Sequence, residues 1–158
     1  MSSIQFRIAR DSNLFDIIDR WWSLIGSQKE AKESVPLTYY NKIKVEKMIR
    51  NRILSGEIIL ALKSESIVGM ASIRKQSVKL DGLIPTWVLS DMWVDCNYRR
   101  DGIGSGLVSF CEGLIRKSGG ERLWLNVHQA NPTAREFYNS LGYSIQSLRM
   151  EKIFSPEI

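Results

Sequence analysis

One short segment limits the possible folds more than any other. The run Arg99-Arg100-Asp101-Gly102-Ile103-Gly104-Ser105-Gly106 lies between an apolar stretch, Trp87 to Val94, and a segment carrying Ile103, Leu107, Phe110 and Leu114 at helical spacing. A strand that turns through glycines into an amphipathic helix is a βα unit, which requires a mixed α/β architecture. Glycines in such a turn let the backbone take positive φ and aim its N–H groups at one point. The helix start adds unpaired donors and the positive end of the dipole, which together suit a pyrophosphate. Arg99 and Arg100 stand at the rim, where they can form charge-assisted bonds. Two familiar phosphate motifs do not fit: no Gly-Lys-Ser/Thr follows at P-loop spacing, and the third glycine of a dinucleotide fingerprint is replaced by Leu107. A bare turn whose glycines only permit close packing is the competing reading.

The rest of the chain supplies partners for that unit. Ile4, Phe6 and Ile8 alternate as a first strand, and Asp11-Ser12 offers a cap for a helix with Leu14, Ile17, Ile18, Trp21 and Ile25 on one side. Gly26 to Pro36 reads as a loop, and a second helix is expected from Thr38 to Leu54, ending at Ser55-Gly56. Glu57 to Lys63 and Ile67 to Ile73 form a predicted hairpin, and Trp87 to Val94 the fourth strand. Leu123 to Val127 is a fifth strand, Asn131-Pro132 opens a last helix that stops at Leu141-Gly142, and Tyr143 to Ile153 reads as a final strand. The expected order is β-α-α-β-β-β-α-β-α-β in one domain over residues 1–158, with no linker or repeat to divide it.

Composition narrows the function class. Of 158 residues, 44% are hydrophobic and 25% charged, the balance of a globular protein with a real core. The N-terminus is broken by charge too early for a signal peptide, and the most apolar stretch, Glu57 to Leu62, is too short to span a membrane, so a cytoplasmic protein is expected. Two cysteines and one histidine give a structural metal site nothing to be built from, so no metal is expected. The net charge of +5 favours anionic ligands without selecting one. A nucleic-acid role for the basic helix Lys42 to Arg52 is disfavoured, because Glu46 interrupts it and Ile43, Met48 and Leu54 look buried.

The stretch Leu89-Ser90-Asp91-Met92-Trp93-Val94-Asp95 through Arg99, Gly102 and Gly104 resembles the core motif of the GNAT superfamily of acyl-CoA-dependent N-acetyltransferases. Leu125-x-Val127, Asn131, Ala134, Phe137-Tyr138 and Gly142-Tyr143 resemble its second motif, so the likeness spans residues 87 to 143. It implies a mostly antiparallel sheet, splayed between its fourth and fifth strands and flanked by helices, with acetyl-CoA wedged in the splay. It also implies a bulge in the fourth strand, whose last residues, Met92, Trp93 and Val94, would pair with the pantetheine arm through their main chain. The pyrophosphate would lie on Arg99, Arg100, Asp101, Gly102, Ile103, Gly104 and Ser105, with Asn131 contributing nearby. Tyr138 occupies the place of the residue that protonates the leaving thiolate.

The general base is less defined. Related polyamine acetyltransferases show Leu-Glu-Asp where this chain has Leu89-Ser90-Asp91, so the glutamate position holds Ser90. Asp91 is either the base or a support for the bulge. Asp95, His128, Glu30 and Glu33 are further candidates, and Cys96 raises a ping-pong route that has little support without a nearby histidine. The resemblance implies direct transfer from acetyl-CoA to a primary amine of a small molecule or peptide in a ternary complex. The alternative is a non-catalytic acyl-CoA sensor. A homodimer covering a sheet edge is also expected.

Overall fold

The computed structural model describes residues 3–27, 39–76, 85–150 and 152. Nine regular elements appear among them: β1 (Gln5–Ile8), α1 (Leu14–Ser27), α2 (Tyr39–Leu54), β2 (Ile58–Lys63), β3 (Ser66–Gln76), β4 (Thr86–Val94), α3 (Ile103–Lys117), β5 (Arg122–Leu125) and α4 (Pro132–Ser140). The strands form one sheet in the order β1-β2-β3-β4-β5, antiparallel except for the β4–β5 pair. The mixed α/β, mostly antiparallel architecture expected from the sequence is the one observed. Contacts divide the chain into two units, 1–126 and 127–158.

In the first unit the sheet is covered on both faces. Ile58, Leu60, Leu62 and Met70 pack with Leu14 and Ile17 of α1 and with Val45, Ile49 and Ile53 of α2. Strand alternation sends Ile59 and Ala61 to the other face, where α3 packs. There Gly69 admits the helix closely, since a Cβ on it would sit 2.9 Å from Ile103 Cγ2 and 3.1 Å from Leu107 Cδ1. Ile103, Leu107, Val108, Cys111 and Ile115 form the buried stripe of α3.

Three local expectations are corrected. The buried set on α2 is Val45, Ile49 and Ile53, one residue every four, while Ile43 and Leu54 are 47% and 75% exposed. Ile43 and Leu54 are apolar but out of phase with that stripe. The turn before α1 is capped one residue earlier than Asp11: the Arg10 N–H donates to Asn13 Oδ1 at 3.0 Å and the Asn13 N–H donates to Arg10 O at 2.8 Å. Residues 143–150 form no strand; Ile145, Leu148 and Met150 are 66%, 82% and 91% exposed. A strand exists only through its ladder, and this segment's apolar residues change phase across Gln146-Ser147, so they do not define one face for a partner to cover. The remainder of the expected final strand, apart from Lys152, lies outside the described residues, as does most of the expected loop after α1.

The second unit is built around α4. Asn131 caps it by accepting from the Ala134 N–H at 3.0 Å, Pro132 occupies its first turn, and Gly142 closes it at φ +88°. This is the arrangement expected from Asn-Pro at the start and Leu-Gly at the end.

Candidate active site

β4 changes its pairing partway along. From Thr86 to Leu89 it pairs with β3 on one side and with β5 on the other, Leu89 opposite Leu125 being the last parallel pair. From there on, among the described residues, only β3 accompanies it: Asp91, Met92, Trp93 and Val94 face Ser72, Ala71, Met70 and Gly69. The register moves from Ile73↔Leu89 to Ser72↔Asp91, which leaves Ser90 as an extra residue, a β-bulge. The splay and the bulge expected from the resemblance are therefore both present. Trp93 packs its side chain against the α1–α2 core, with the Arg20 guanidinium 5.4 Å from its ring centroid, so main-chain groups are what the open edge offers.

The glycine turn follows directly. Asp95 Oδ1 accepts from the Asn97 N–H at 2.9 Å and fixes a 3-10 turn over Cys96–Tyr98. Arg99 Nε donates to Val94 O at 3.3 Å, tying the turn back to the end of β4. Arg100 and Gly102 both take left-handed conformations, at φ +72° and +77°. The first bond of α3 runs from the Gly106 N–H to Gly102 O at 2.9 Å, and Gly102 supplies no side-chain cap. The N–H groups of Ile103, Gly104 and Ser105 thus precede the helical ladder, while the Ser105 hydroxyl turns back to Gly102 O at 2.8 Å. Three unladdered donors, two residues at positive φ and the positive dipole end suit a phosphate group, and Arg99, Arg100 and Asp101 are exposed beside them. The packing explanation does hold for Gly106, where a Cβ would run into the Phe6 ring.

Asp91 is held rather than loose. Its Oδ2 accepts from Arg52 Nη1 at 2.7 Å and from Ser72 Oγ at 2.5 Å, with Ser90 Oγ 3.4 Å away and Ser72 and Ser90 hydroxyls 2.9 Å apart. Arg52 and Asp91 side chains are only 19% and 22% exposed. Arg52 and Ser72 were not signalled by the sequence, because they come from α2 and β3, 39 and 19 residues away. A hollow of about 260 Å³ opens where β4 and β5 part, with Ser90 and Asn126 at its rim. A hollow of about 370 Å³ beside Ser3, Ile4 and Glu65 is larger, but it lies at the β1 edge, away from splay and glycine turn.

The other candidate bases have local duties. His128 Nδ1 accepts from the Ala130 N–H at 3.2 Å and its carbonyl accepts from the Asn131 N–H at 2.9 Å, a turn leading into α4. Asp95 caps its turn, and Glu30 and Glu33 lie outside the described residues. Cys96 is an exposed free thiol; Cys111 is buried, and its thiol is pushed up to about 12 by desolvation, with the neighbouring Glu112 charge adding to it. In the second unit, Tyr138 is half-buried in an aromatic series, its ring 5.0 Å from Phe137 and 5.7 Å from Tyr143, both edge-on. Asn131 has its side-chain oxygen engaged in capping.

Known proteins resemble this arrangement. The model of the acetyltransferase (GNAT) family matches residues 15–143. The [ribosomal protein bS18]-alanine N-acetyltransferase of Escherichia coli (strain K12) is 34% identical over 61 residues, 39% of this chain, and the chain spans only 41% of that relative. Among solved structures, a transcriptional regulator from Bacillus halodurans C-125 superposes with a TM-score of 0.77 at 17% identity, covering 96% of this chain and 100% of its own. A ribosomal-protein-alanine N-acetyltransferase from Brucella melitensis biovar Abortus 2308 gives 0.75 at 13% identity over 96% and 100%. At those identities the structures speak for the fold, and the family model, covering most of the chain, speaks for descent. With its open-edged fourth strand, its bulge and its glycine-led helix in sequence, the chain belongs to the acetyltransferase (GNAT) family.

Proposed function

We propose that this protein transfers an acetyl group from acetyl-CoA to a primary amine, the amine attacking directly within a ternary complex. The observation that carries the reading is the β4 edge from Ser90 to Val94, which β5 does not pair and which leads into an uncapped helix start. An unpaired edge offers donors and acceptors to an amide-bearing arm, so the main chain of Met92, Trp93 and Val94 would hold the pantetheine. The N–H groups of Ile103, Gly104 and Ser105, with Arg99, Arg100, Asp101 and Gly102 around them, would hold the pyrophosphate. Asn131 is assigned a supporting contact. Acetyl-CoA supplies an activated thioester; the chain supplies position and protons.

An amine must be neutral to attack, so a base has to take its proton. Asp91 is assigned that role through Ser90, a lining residue of the hollow whose hydroxyl lies beside both Ser72 and Asp91. Arg52 keeps the carboxylate in place for the relay. Tyr138 is assigned the proton for the departing sulfur, and even without full transfer its O–H would stabilise charge developing there. The sensor reading keeps the same cofactor contacts and omits turnover. A cytoplasmic homodimer completes the proposal, supported by two free thiols and by a sheet whose strand order ends at β1 and β5.

The test is an amine panel of polyamines, amino acids, aminoglycosides and peptide N-termini, read by released CoA. It is paired with thermal melts in acetyl-CoA, CoA and an oligonucleotide. Stabilisation by the first two together with CoA release from some amine is expected. Stabilisation without release from any amine favours the sensor, and stabilisation by the oligonucleotide alone would sink both readings.

A further inference from the structure

The hollow at the fork has a charge pattern that bears on which amines can enter. Six of its lining residues are Arg74 and Gln76 of β3, Val88 and Ser90 of β4, Trp124 of β5 and Asn126 just past its end. Arg74 pairs with Val88 and Val88 with Trp124, so these three stand in one row across three strands. Met70, Ser72, Arg74 and Gln76 alternate onto the same face, the one that α1 and α2 cover further along the sheet. Gln76 Oε1 accepts from Trp124 Nε1 at 2.9 Å, which fixes the indole as a flat wall, while Val88, 8% exposed, forms an apolar floor.

Among the described residues, Arg74 is the one formal charge in this lining. Among the described residues no carboxylate pairs with it, whereas Arg50, Arg52 and Arg116 each have an acidic partner. The carboxylate adjoining Ser90, that of Asp91, is already bonded to Arg52. A pocket built for a polyamine or any polycation needs acidic walls, and among the described lining residues a second ammonium would meet a guanidinium instead. A guanidinium fork matches carboxylate and phosphate oxygens in a bidentate fashion. The volume, about 260 Å³, lies just below the roughly 300–1,000 Å³ of drug-sized ligand pockets, which favours a compact acceptor.

We infer that the acceptor is a small amine that also bears an anionic group, a carboxylate or phosphate, which Arg74 holds while the amine faces Ser90. The inference rests on the acetyltransferase reading and narrows its substrate class. Trp124 and Val88 take the carbon skeleton between the two polar ends. Arg74 is then the residue that determines specificity, and the anion positions the nitrogen at the fork.

The experiment uses matched acceptors on one skeleton: amino acids against their carboxamides and their decarboxylated amines, and phosphoethanolamine against ethanolamine. For the wild type, kcat/KM is expected to be at least tenfold higher for the acid-bearing member of a pair, and the two sets tell carboxylate from phosphate. Arg74→Gln should bring that ratio near one, and Arg74→Lys should restore part of it. Calorimetry on CoA-saturated protein should show the acidic acceptor binding at least tenfold more tightly to the wild type than to Arg74→Gln. Arg74 is exposed, and a melt of the variant checks that it is folded. Equal use of charged and neutral members, a preference that survives Arg74→Gln, or a peptide N-terminus outrunning every acidic small molecule would each overturn the inference while leaving acetyl transfer standing. No CoA release with any amine would overturn both.

Discussion

The two halves of β4 share one backbone and differ in their company. Thr86–Leu89 is paired on both sides, and Thr86, Val88 and Leu89 are buried; among the described residues Ser90–Val94 is paired on one side, and none of its residues is buried. Ser90 is the point of change. The bulge falls right after the last pair with β5, Leu89↔Leu125, which is also where β5 ends. The first half is therefore scaffold, where burial and a double ladder supply stability. The second half keeps polar main chain available, which a folded protein normally avoids and which a ligand can satisfy.

The comparison breaks most visibly at Leu89. It is 5% exposed, so Leu89→Ala should lower unfolding free energy by about 2–5 kcal/mol, whereas Val94→Ala in the open half should lose less than about 1.5 kcal/mol. Equal losses in denaturant melts would mean that the halves do not differ as scaffold and site. Next in size is the chemistry that the open half is proposed to serve. Tyr138→Phe keeps the ring against Phe137 and Tyr143, so stability and acetyl-CoA affinity should hold, while single-turnover rate drops about ten- to a thousandfold, roughly 1.4–4 kcal/mol of barrier. An unchanged chemical step would make Tyr138 a packing residue and revive the sensor reading.

Smaller effects sharpen the boundary. Gly104 lies in the first turn of α3, where a side chain would obstruct approach to the N–H groups; Gly104→Val should weaken acetyl-CoA binding at least tenfold, about 1.4 kcal/mol, in a folded protein. Calorimetry returning the wild-type affinity would remove the loop from the site. Asp91→Asn loses a charge-assisted bond to Arg52, for about 1–2 kcal/mol of stability. If Asp91 takes the amine proton through Ser90, the pH profile of kcat/KM shifts in Asp91→Asn and in Ser90→Ala alike. A lower melting point with an unshifted profile would leave Asp91 a support for the bulge. The least change is expected at Cys111. A buried thiol pushed up to about 12 stays protonated, so at pH 8 an alkylating reagent should label the exposed Cys96 and spare Cys111 until the protein unfolds. The same shift has a definite sign for stability: the unfolded thiol ionises first, so its contribution is intact below pH 9.0 and declines toward about 12. Rapid labelling of Cys111 in the native protein would contradict its burial.

The local sequence determined the elements whose signals are themselves local. Turn chemistry gave the glycine-led start of α3 and the Asn131-Pro132 to Gly142 limits of α4, because capping and left-handed conformations depend on residues within a turn of each other. Apolar period gave the strands β2 to β4 and the buried side of α1, and the paired motifs gave the family. Tertiary structure decided the rest. The phase of α2 depends on which of several apolar residues the sheet selects, and Val45, Ile49 and Ile53 were selected over Ile43 and Leu54. Residues 143–150 are expected from the sequence to be a strand yet form none: the apolar phase slips between Ile145 and Leu148, and a strand needs a partner that composition cannot supply. The Arg52–Ser72–Asp91 cluster and the Arg74–Val88–Trp124 row join residues far apart in the chain, and only the register of the sheet and the docking of α2 bring them together. Short-range conformational preference is written residue by residue, whereas long-range juxtaposition is a property of the packed whole, and both the held carboxylate and the charge in the hollow belong to the second kind.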